Sequence, residues 1–540
     1  MKREMLFVYN YSKRYKIKMF IYFILCILLS IQSMIKPLIN GSFIDFLIYK
    51  SKNSVYIYVV ILCLVVLSEI IIGYYIQKLS FFLQNNINYA MNMDIIKQVL
   101  SAPYAFIYKK NSVYLNELIS KEVNTITSFS INVINDILKN IILMLISIIL
   151  ITSKLKWGVV VLIALLPLYY IIYIKNKKIL FYENTRINEE NNVFGAKLYS
   201  LLANGKFIKI NNVLGFFEKR VEKSFRQLQN NSWKYKKICY RYNINETLLS
   251  TISSIFMLIY MGKMILMGKL TIGEYTVINT YYGMLCSSVK YFFTLGQKIQ
   301  ETKASYNRLD NLKRLKSQKT GEVDLDNIEH ICLEDISFSF FDTVVYKNIK
   351  YDFYSGKVYV IIGDNGSGKT TLANTILGLY NDEMEGNIYF NNVNIKELNM
   401  EHIRERQFSI SEQEPFLCED TLYNNIVLDR ENISIKKLNE LLNQFNLIDY
   451  VNKLPYGINT RLYENGINLS GGEKQKISMV RTFLKEAQVV ILDEPTNAMD
   501  IATKNNLKEY IKMVKKGKII IIITHDEDMI AIADKIIKLR

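Results

Sequence analysis

Charge-free apolar stretches crowd the first 300 residues of this chain and then give way to a different pattern. They run from Met19 to Ile35, Val55 to Ser68, Trp157 to Ile174 and Thr247 to Gly262, with shorter ones from Asn140 to Ser153 and Tyr275 to Val289, each extendable past one charged residue. A buried core helix explains any single short run, but six of them, the longest at or above seventeen residues, fit membrane spans. The pattern predicts six transmembrane helices, near residues 19–39, 55–76, 134–153, 157–174, 245–266 and 275–297. Residues 298–318 keep a helical pattern but are polar, and the sequence changes character at Lys319, which divides a membrane part, 1–318, from a second part, 319–540. There the apolar runs are short. Val358–Ile362, Val489–Leu492 and Ile519–Ile523 read as strands of a parallel sheet buried on both faces, and Leu372–Leu379 as a helix.

Charge orients this layout. The N-terminal MKREMLFVYNYSKRYKIK holds six basic residues and one acidic, and residues 175–243 hold 15 basic and 5 acidic. Basic loops stay on the cytoplasmic side, so both termini and the second part are expected inside a bacterial cytoplasmic membrane. The net charge of +17, from 67 basic and 50 acidic residues, raises nucleic-acid binding as a possibility. Membrane topology and anionic headgroups already account for the basic excess, so no nucleic-acid partner is expected. Cys26, Cys63, Cys239, Cys286, Cys332 and Cys418 have no paired spacing, and the only histidines are His330, His402 and His525. Reduced thiols, rather than a disulfide frame or a zinc site, are the expectation.

Chemistry concentrates where the short strands end. After Val358–Ile362 come Gly363, Asp364, Asn365, Gly366, Ser367, Gly368, Lys369, Thr370 and Thr371, a strand, a glycine loop and a helix start in the order that a phosphate cradle needs. Glycines let backbone N–H groups close on phosphate oxygens, Lys369 can reach the β and γ phosphates, and Thr370 can ligate Mg²⁺. The strand Val489–Leu492 delivers Asp493 and Glu494 to its C-terminal end, one carboxylate to hold Mg²⁺ and the other to activate water. Ile519–Ile523 ends in Thr524 and His525. A lone histidine at a strand end is usually a surface or capping residue, but the order of the three motifs outweighs that reading.

Between them lies LSGGEKQ, Leu469 to Gln475, and with it the chain from about residue 325 onward resembles the nucleotide-binding domain of ABC transporters. The resemblance implies an α/β P-loop ATPase domain with an ABC helical subdomain, preceded by a membrane α-helical domain of six transmembrane helices with long cytoplasmic extensions. It implies that Phe340 stacks on adenine, that Lys369 and Thr370 hold phosphate and Mg²⁺, and that Gln413 senses Mg²⁺ and the attacking water. Asp493 becomes the second magnesium anchor, Glu494 the catalytic base, His525 the γ-phosphate contact, Asp500 the D-loop aspartate and Glu464 a contact to the coupling helices. Leu469, Ser470, Gly471, Gly472 and Glu473 form the signature that acts on the nucleotide of a partner. Glu473 stands where glutamine is more usual, and Phe340 where tyrosine is common. Residues 98–129, 201–221 and 267–278 resemble the loops and turn of a half-exporter, the first two carrying its coupling helices. One copy of each motif implies a dimer, and the presence of Lys369, Ser470, Glu494 and His525 favours two identical chains over a heterodimer.

The implied activity is ATP hydrolysis with Mg²⁺, driving export of a small peptide or amphipathic molecule across the lipid bilayer by alternating access. A lipid flippase or multidrug exporter is the alternative, and a membrane-anchored signalling ATPase a third reading. Glu69 and Lys290 are ionisable groups at membrane depth and are substrate candidates, with mutual pairing or snorkelling as the competing explanation.

Overall fold

A computed structural model describes residues 2–49, 55–109, 112–340, 343–430 and 433–539. The chain packs as two compact units, one of residues 1–97 and 113–314, the other of residues 98–112 and 315–540. The second unit thus begins four residues before the boundary expected at Lys319, and it takes in a short excursion from the first half of the chain.

The first unit is helical: α1 (Lys2–Ser12), α2 (Lys16–Gln32), α3 (Ile35–Tyr49), α4 (Val55–Leu100, whose last turn enters the second unit), α5 (Tyr104–Lys109, in the second unit), α6 (Ser112–Lys154), α7 (Lys156–Ala203), α8 (Gly205–Asn211), α9 (Leu214–Leu266) and α10 (Ile272–Lys313). Every expected span falls on a helix, the first across α2 and α3. Among the described residues, the passages Leu6–Tyr49, Val55–Leu100, Leu115–Lys154 and Leu214–Leu266 are long and apolar enough to cross a membrane. Side chains 156–166 of α7 lie outside the described residues, and α10 carries Glu274, Lys290 and Lys298 along its apolar half. On α4 the apolar residues Val59, Val60, Leu64, Leu67, Ile70 and Ile71 all face outward, as lipid-facing positions should.

Small residues set the closest helix crossing. Gly41 on α3 and Gly273 on α10 meet backbone to backbone, and a Cβ on Gly273 would run into the Gly41 carbonyl. Asp45 secures the contact by accepting hydrogen bonds from the Thr271 hydroxyl (2.6 Å) and the Gly273 N–H (2.8 Å). Thr271 and Glu274 form a capping box at the start of α10, and Lys154 of α6 pairs with Glu274 at 2.6 Å. Farther along, Arg308 of α10 makes a two-pronged ion pair with the buried Glu122 of α6, at 2.7 and 2.9 Å. Tyr11 and Lys313 both hydrogen-bond Asp94, at 2.5 and 3.1 Å.

The substrate candidate Glu69 pairs with Lys36 of α3. One turn away, Gln32 donates to the Val65 carbonyl (2.6 Å) and to the Ser68 hydroxyl (2.5 Å), so α2 and α3 meet α4 across a polar seam inside an apolar helix set.

The second unit contains a parallel sheet and an antiparallel one. Strands β1 (His330–Phe340), β2 (Thr343–Tyr354), β4 (Glu385–Phe390) and β5 (Val393–Asn394) form an antiparallel sheet in the order β2-β1-β4-β5. Strands β3 (Lys357–Ile362), β6 (Phe408–Ser411), β7 (Val489–Asp493), β8 (Ile519–Ile523) and β9 (Lys535–Lys538) form a parallel sheet in the order β6-β7-β8-β3-β9. Its core strands are unbroken apolar runs because both faces are covered. Tyr359, Ile361, Ile491, Ile521 and Ile523 enter one hydrophobic core, which contains the antiparallel sheet, while Val358, Val360, Val490, Leu492, Ile520 and Ile522 enter another, built from helices. The helices are α11 (Lys369–Ile376), α12 (Met400–Gln407), α13 (Leu422–Val427), α14 (Ile435–Gln444), α15 (Ile448–Lys453), α16 (Gly471–Leu484), α17 (Ile501–Val514) and α18 (Glu527–Ile530). Helices α13 to α16 form the insertion between β6 and β7 that the resemblance implied.

Helix α5 belongs to this unit's core. Ala105 is buried in it, Tyr104 packs edge-on against Tyr380 at 5.7 Å, and Gln318 donates its N–H to the Ser101 carbonyl at 2.7 Å.

Candidate functional site

All the strand-end motifs converge on one edge. In the register of the parallel sheet Ile361 pairs with Ile523, Ile523 with Asp493, and Leu492 with Ser411. The glycine loop after β3, the carboxylates ending β7, Thr524–His525 after β8 and Gln413 beyond β6 therefore leave the sheet side by side at its C-terminal edge, where open α/β sheets hold ligands.

The loop itself is shaped for an anion. Gly366 and Gly368 have φ of +85° and +88°, and a Cβ on Gly368 would lie 2.5 Å from Val345 Cγ1, so side chains are excluded there on two counts. Gly368 stands directly before α11, whose unpaired N–H groups point into the loop. The Ser367 hydroxyl is buried without a hydrogen-bond partner among the described residues, a polar group ready for a phosphate oxygen. Lys369 is almost wholly buried, and its ammonium donates to the carbonyls of Gly363 (2.7 Å) and Asp364 (3.1 Å), which hold it within the loop.

Thr370 donates its hydroxyl to Asp493 at 2.7 Å, across 123 residues of sequence. Burial pushes the Asp493 carboxyl up, against the Thr370 hydrogen bond and the nearby Lys369 charge, which pull it down. Hydroxyl and carboxylate oxygens in contact are the hard donors that suit Mg²⁺. Glu494 follows in a left-handed conformation, φ +47°, with its N–H bound to the Ile523 carbonyl at 2.8 Å. Such a backbone is costly for a residue with a Cβ, and structures keep it where a side chain must be aimed. Burial raises the Glu494 carboxyl and Asp493 adds to the rise, while His525 opposes it. The His525 Nε2 lies 3.9 Å from Glu494 Oε1, with His525 half exposed and Glu494 largely covered.

The signature segment starts α16. Ser470 and Glu473 form a capping box: Ser470 receives the Glu473 N–H at 3.3 Å, and Glu473 receives the Ser470 N–H at 2.7 Å. The glutamate in place of the more usual glutamine is thus a helix-start residue. Gly471 lies against Ala498, and a Cβ on Gly472 would sit 2.6 Å from the Ala498 carbonyl. Asp500 caps α17 through the Thr503 N–H (2.8 Å) and also pairs with Lys476 of α16 at 2.8 Å. Lys476, with the Thr503 N–H, holds the Asp500 carboxyl well below the usual carboxylate range.

Gln413 is exposed just beyond β6. Phe340 ends β1 and receives the Tyr108 ring edge-on at 5.2 Å. Glu464 opens a short turn, Glu464–Gly466, and its side chain lies outside the described residues. Two positioning residues escaped the sequence reading. Lys476 ties the signature helix to the D-loop aspartate. Asp526 accepts from Thr496 (2.9 Å) and Lys504 (2.9 Å), joining the loop after β7 to the residue beside His525. A signal for Asp526 was present, since an Asp directly before a short helix is a capping residue; nothing local to Lys476 marks its partner.

Comparison with known proteins agrees with this geometry. Residues 346–497 match the family model for the ABC transporter, and residues 19–289 match that for the ABC transporter transmembrane region. The chain is 26% identical over 557 residues to the Microcin-J25 export ATP-binding/permease protein McjD of Escherichia coli, covering 99% of this chain and 93% of that protein. It is 33% identical over 284 residues to an ATP-dependent lipid A-core flippase of Syntrophus aciditrophicus, an alignment spanning 52% of this chain and 47% of the flippase. It is also 30% identical over 368 residues to the mitochondrial iron-sulfur clusters transporter ATM1 of Debaryomyces hansenii, spanning 65% of this chain and 52% of that protein. A solved bacterial Atm1-family ABC exporter with ATP bound shares the fold, with a TM-score of 0.85 at 19% identity over 98% of this chain and 94% of that one. With a phosphate loop, a signature helix and strand-end carboxylates gathered on one sheet edge, and with both halves matched to their family models, this chain belongs to the ABC transporter family.

Proposed function

We propose that the chain is one protomer of a dimeric exporter of a small peptide or amphipathic molecule, working at a bacterial cytoplasmic membrane with its ATPase unit inside. That it is an ATP-hydrolysing membrane exporter follows from its family and relatives. The cargo, the dimer and the residue roles are the proposed part. The observation that carries the site assignment is the convergence of Lys369, Thr370, Asp493, Glu494 and His525 on one sheet edge in a chain that also carries membrane helices.

In this reading Lys369 and the loop N–H groups bind the phosphates, and Thr370 and Asp493 are placed to hold Mg²⁺. Bound there, Mg²⁺ would neutralise phosphate charge. Glu494 takes a proton from the attacking water, and its left-handed backbone aims the carboxylate out of the sheet edge. His525 contacts the γ phosphate and opposes the rise that burial imposes on the Glu494 carboxyl. The signature of the other protomer, Ser470 to Gly472, presents its helix-start N–H groups to the same nucleotide. ATP then favours the closed dimer because it binds that state better than the open one, and this differential affinity shifts the membrane helices. The peptide reading rests on the nearly full-length likeness to the Microcin-J25 exporter, whereas the flippase and ATM1 alignments span about half of those relatives.

The test is ATP turnover by the purified chain in lipid nanodiscs, wild type beside Glu494→Gln, with panels of small peptides and of lipids. Turnover is expected to fall by about 10²-fold or more in the variant, the range for loss of a general base. Stimulation should come from peptides. Stimulation by lipid alone overturns the peptide reading in favour of a flippase, and a silent wild type overturns the identical-chain dimer.

A further inference from the structure

The antiparallel sheet carries a cluster that none of the ATPase motifs uses. On β1, His330 and Cys332 are two residues apart and so share a face, while Ile331 and Leu333 turn into the core. On β2, Asp352 stands directly opposite Cys332, and Tyr354 opposite His330. A ring nitrogen of His330, the Cys332 Sγ and a carboxylate oxygen of Asp352 lie within 4.8 Å of one another, all in partly buried residues. His330 Nε2 is 2.8 Å from Asp352 Oδ1, and its ring stacks on Tyr354 at 4.4 Å and 9°, which sets its plane.

We propose that His330, Cys332 and Asp352 form a binding site for Zn²⁺ or a similar transition-metal cation, with water completing the coordination. A nitrogen, a sulfur and an oxygen donor are the set that zinc accepts, and four ligands at zinc's bond lengths stand roughly 3 to 4 Å from one another, within side-chain rotation of the present spacing. The metal takes the place of the His330–Asp352 hydrogen bond. A thiolate and a carboxylate offset the dication, so the complex formed on this partly buried face is itself neutral. Glu334, two residues beyond Cys332 on β1, adds to the negative potential there. Mg²⁺ and Ca²⁺ are excluded by chemistry, since one carboxylate is far from the oxygen shell they need.

On binding, the Cys332 S–H bond is lost, a sulfur–metal bond forms, and the proton passes to solvent. Burial and Asp352 push this thiol up to about 11, so without metal it is protonated. On this proposal Cys332 has a role that spacing did not suggest, because its partner Asp352 lies twenty residues on and only strand pairing brings it across.

The experiment is a titration of the chelator-stripped, full-length chain in nanodiscs with Co²⁺, which reports thiolate ligation by charge-transfer absorption, followed by displacement with Zn²⁺. Saturation at about one metal per chain is expected. Cys332→Ser should abolish the charge-transfer signal, and His330→Gln should weaken binding at least about tenfold. Cys418→Ser, which removes an exposed thiol elsewhere, should leave binding unchanged. Retained ATP turnover in each variant shows that it has folded. The absence of a saturable signal in wild type, or its survival in Cys332→Ser, overturns the site. Neither result bears on export, which the nanodisc ATPase assay tests separately.

Discussion

Glu494 is held by burial toward its neutral form, at a position where the proposed chemistry needs the anion. The sign follows directly. A base with a raised pKa loses its competent form earlier as the pH falls, so the acid limb of turnover should lie above the range of an ordinary glutamate. His525 lowers the Glu494 pKa. A pH–rate profile of His525→Gln should therefore show the acid limb displaced to still higher pH, apart from any loss of maximal rate; an unmoved limb would separate the two residues. The positions gathered at this sheet edge were legible from sequence, because the strand end, glycine loop and helix start are contiguous. The pairing of Thr370 with Asp493 and the left-handed turn at Glu494 were not, since they depend on which strands become neighbours.

At the scale of elements, the start of α16 has two separate requirements. Its Ser470–Glu473 capping box satisfies N–H groups that helix geometry leaves unpaired, and Glu473→Ala should lower stability by about 1 kcal/mol, measured by thermal unfolding, while Glu473→Gln keeps the box. Gly472 packs against the Ala498 carbonyl, and Gly472→Ala should displace the loop leading to Asp500 and reduce ATP turnover more than it reduces stability. Lys476 locks that loop to the same helix. Its pull on Asp500 favours the folded state at neutral pH and is lost as the pH falls through the depressed Asp500 range, so Lys476→Met should flatten that part of an acid-unfolding curve. The serine-to-glutamate spacing of the box was visible in LSGGE; the requirement at Gly472 was not, because Ala498 is distant in sequence.

For the whole molecule, the consequential point is that each chain holds one phosphate loop and one signature. If the working site joins the loop of one protomer to the signature of the other, chains carrying Lys369→Ala and chains carrying Ser470→Arg should each be inactive alone. Mixed dimers of the two would retain one intact site, so co-expression should restore part of the turnover. A site completed within a single chain predicts no recovery. In the membrane part, the interlocked Gly41 and Gly273 leave no room for larger residues, and Gly273→Val should impair assembly of α3 with α10, read as lower yield of folded protein.

Local pattern alone determined the membrane spans, the buried parallel strands and the phosphate loop, because hydrophobic period and contiguous motifs are properties of neighbouring residues. Tertiary structure decided the rest. It paired Glu69 with Lys36, and placed α5 in the core of the nucleotide-binding unit. It joined Lys476 to Asp500, and set Cys332 opposite Asp352, whose carboxylate meets His330. Each of these contacts is made by side chains far apart in the chain, and its geometry exists only once strand order, register and helix crossings have been set by burial of the apolar faces.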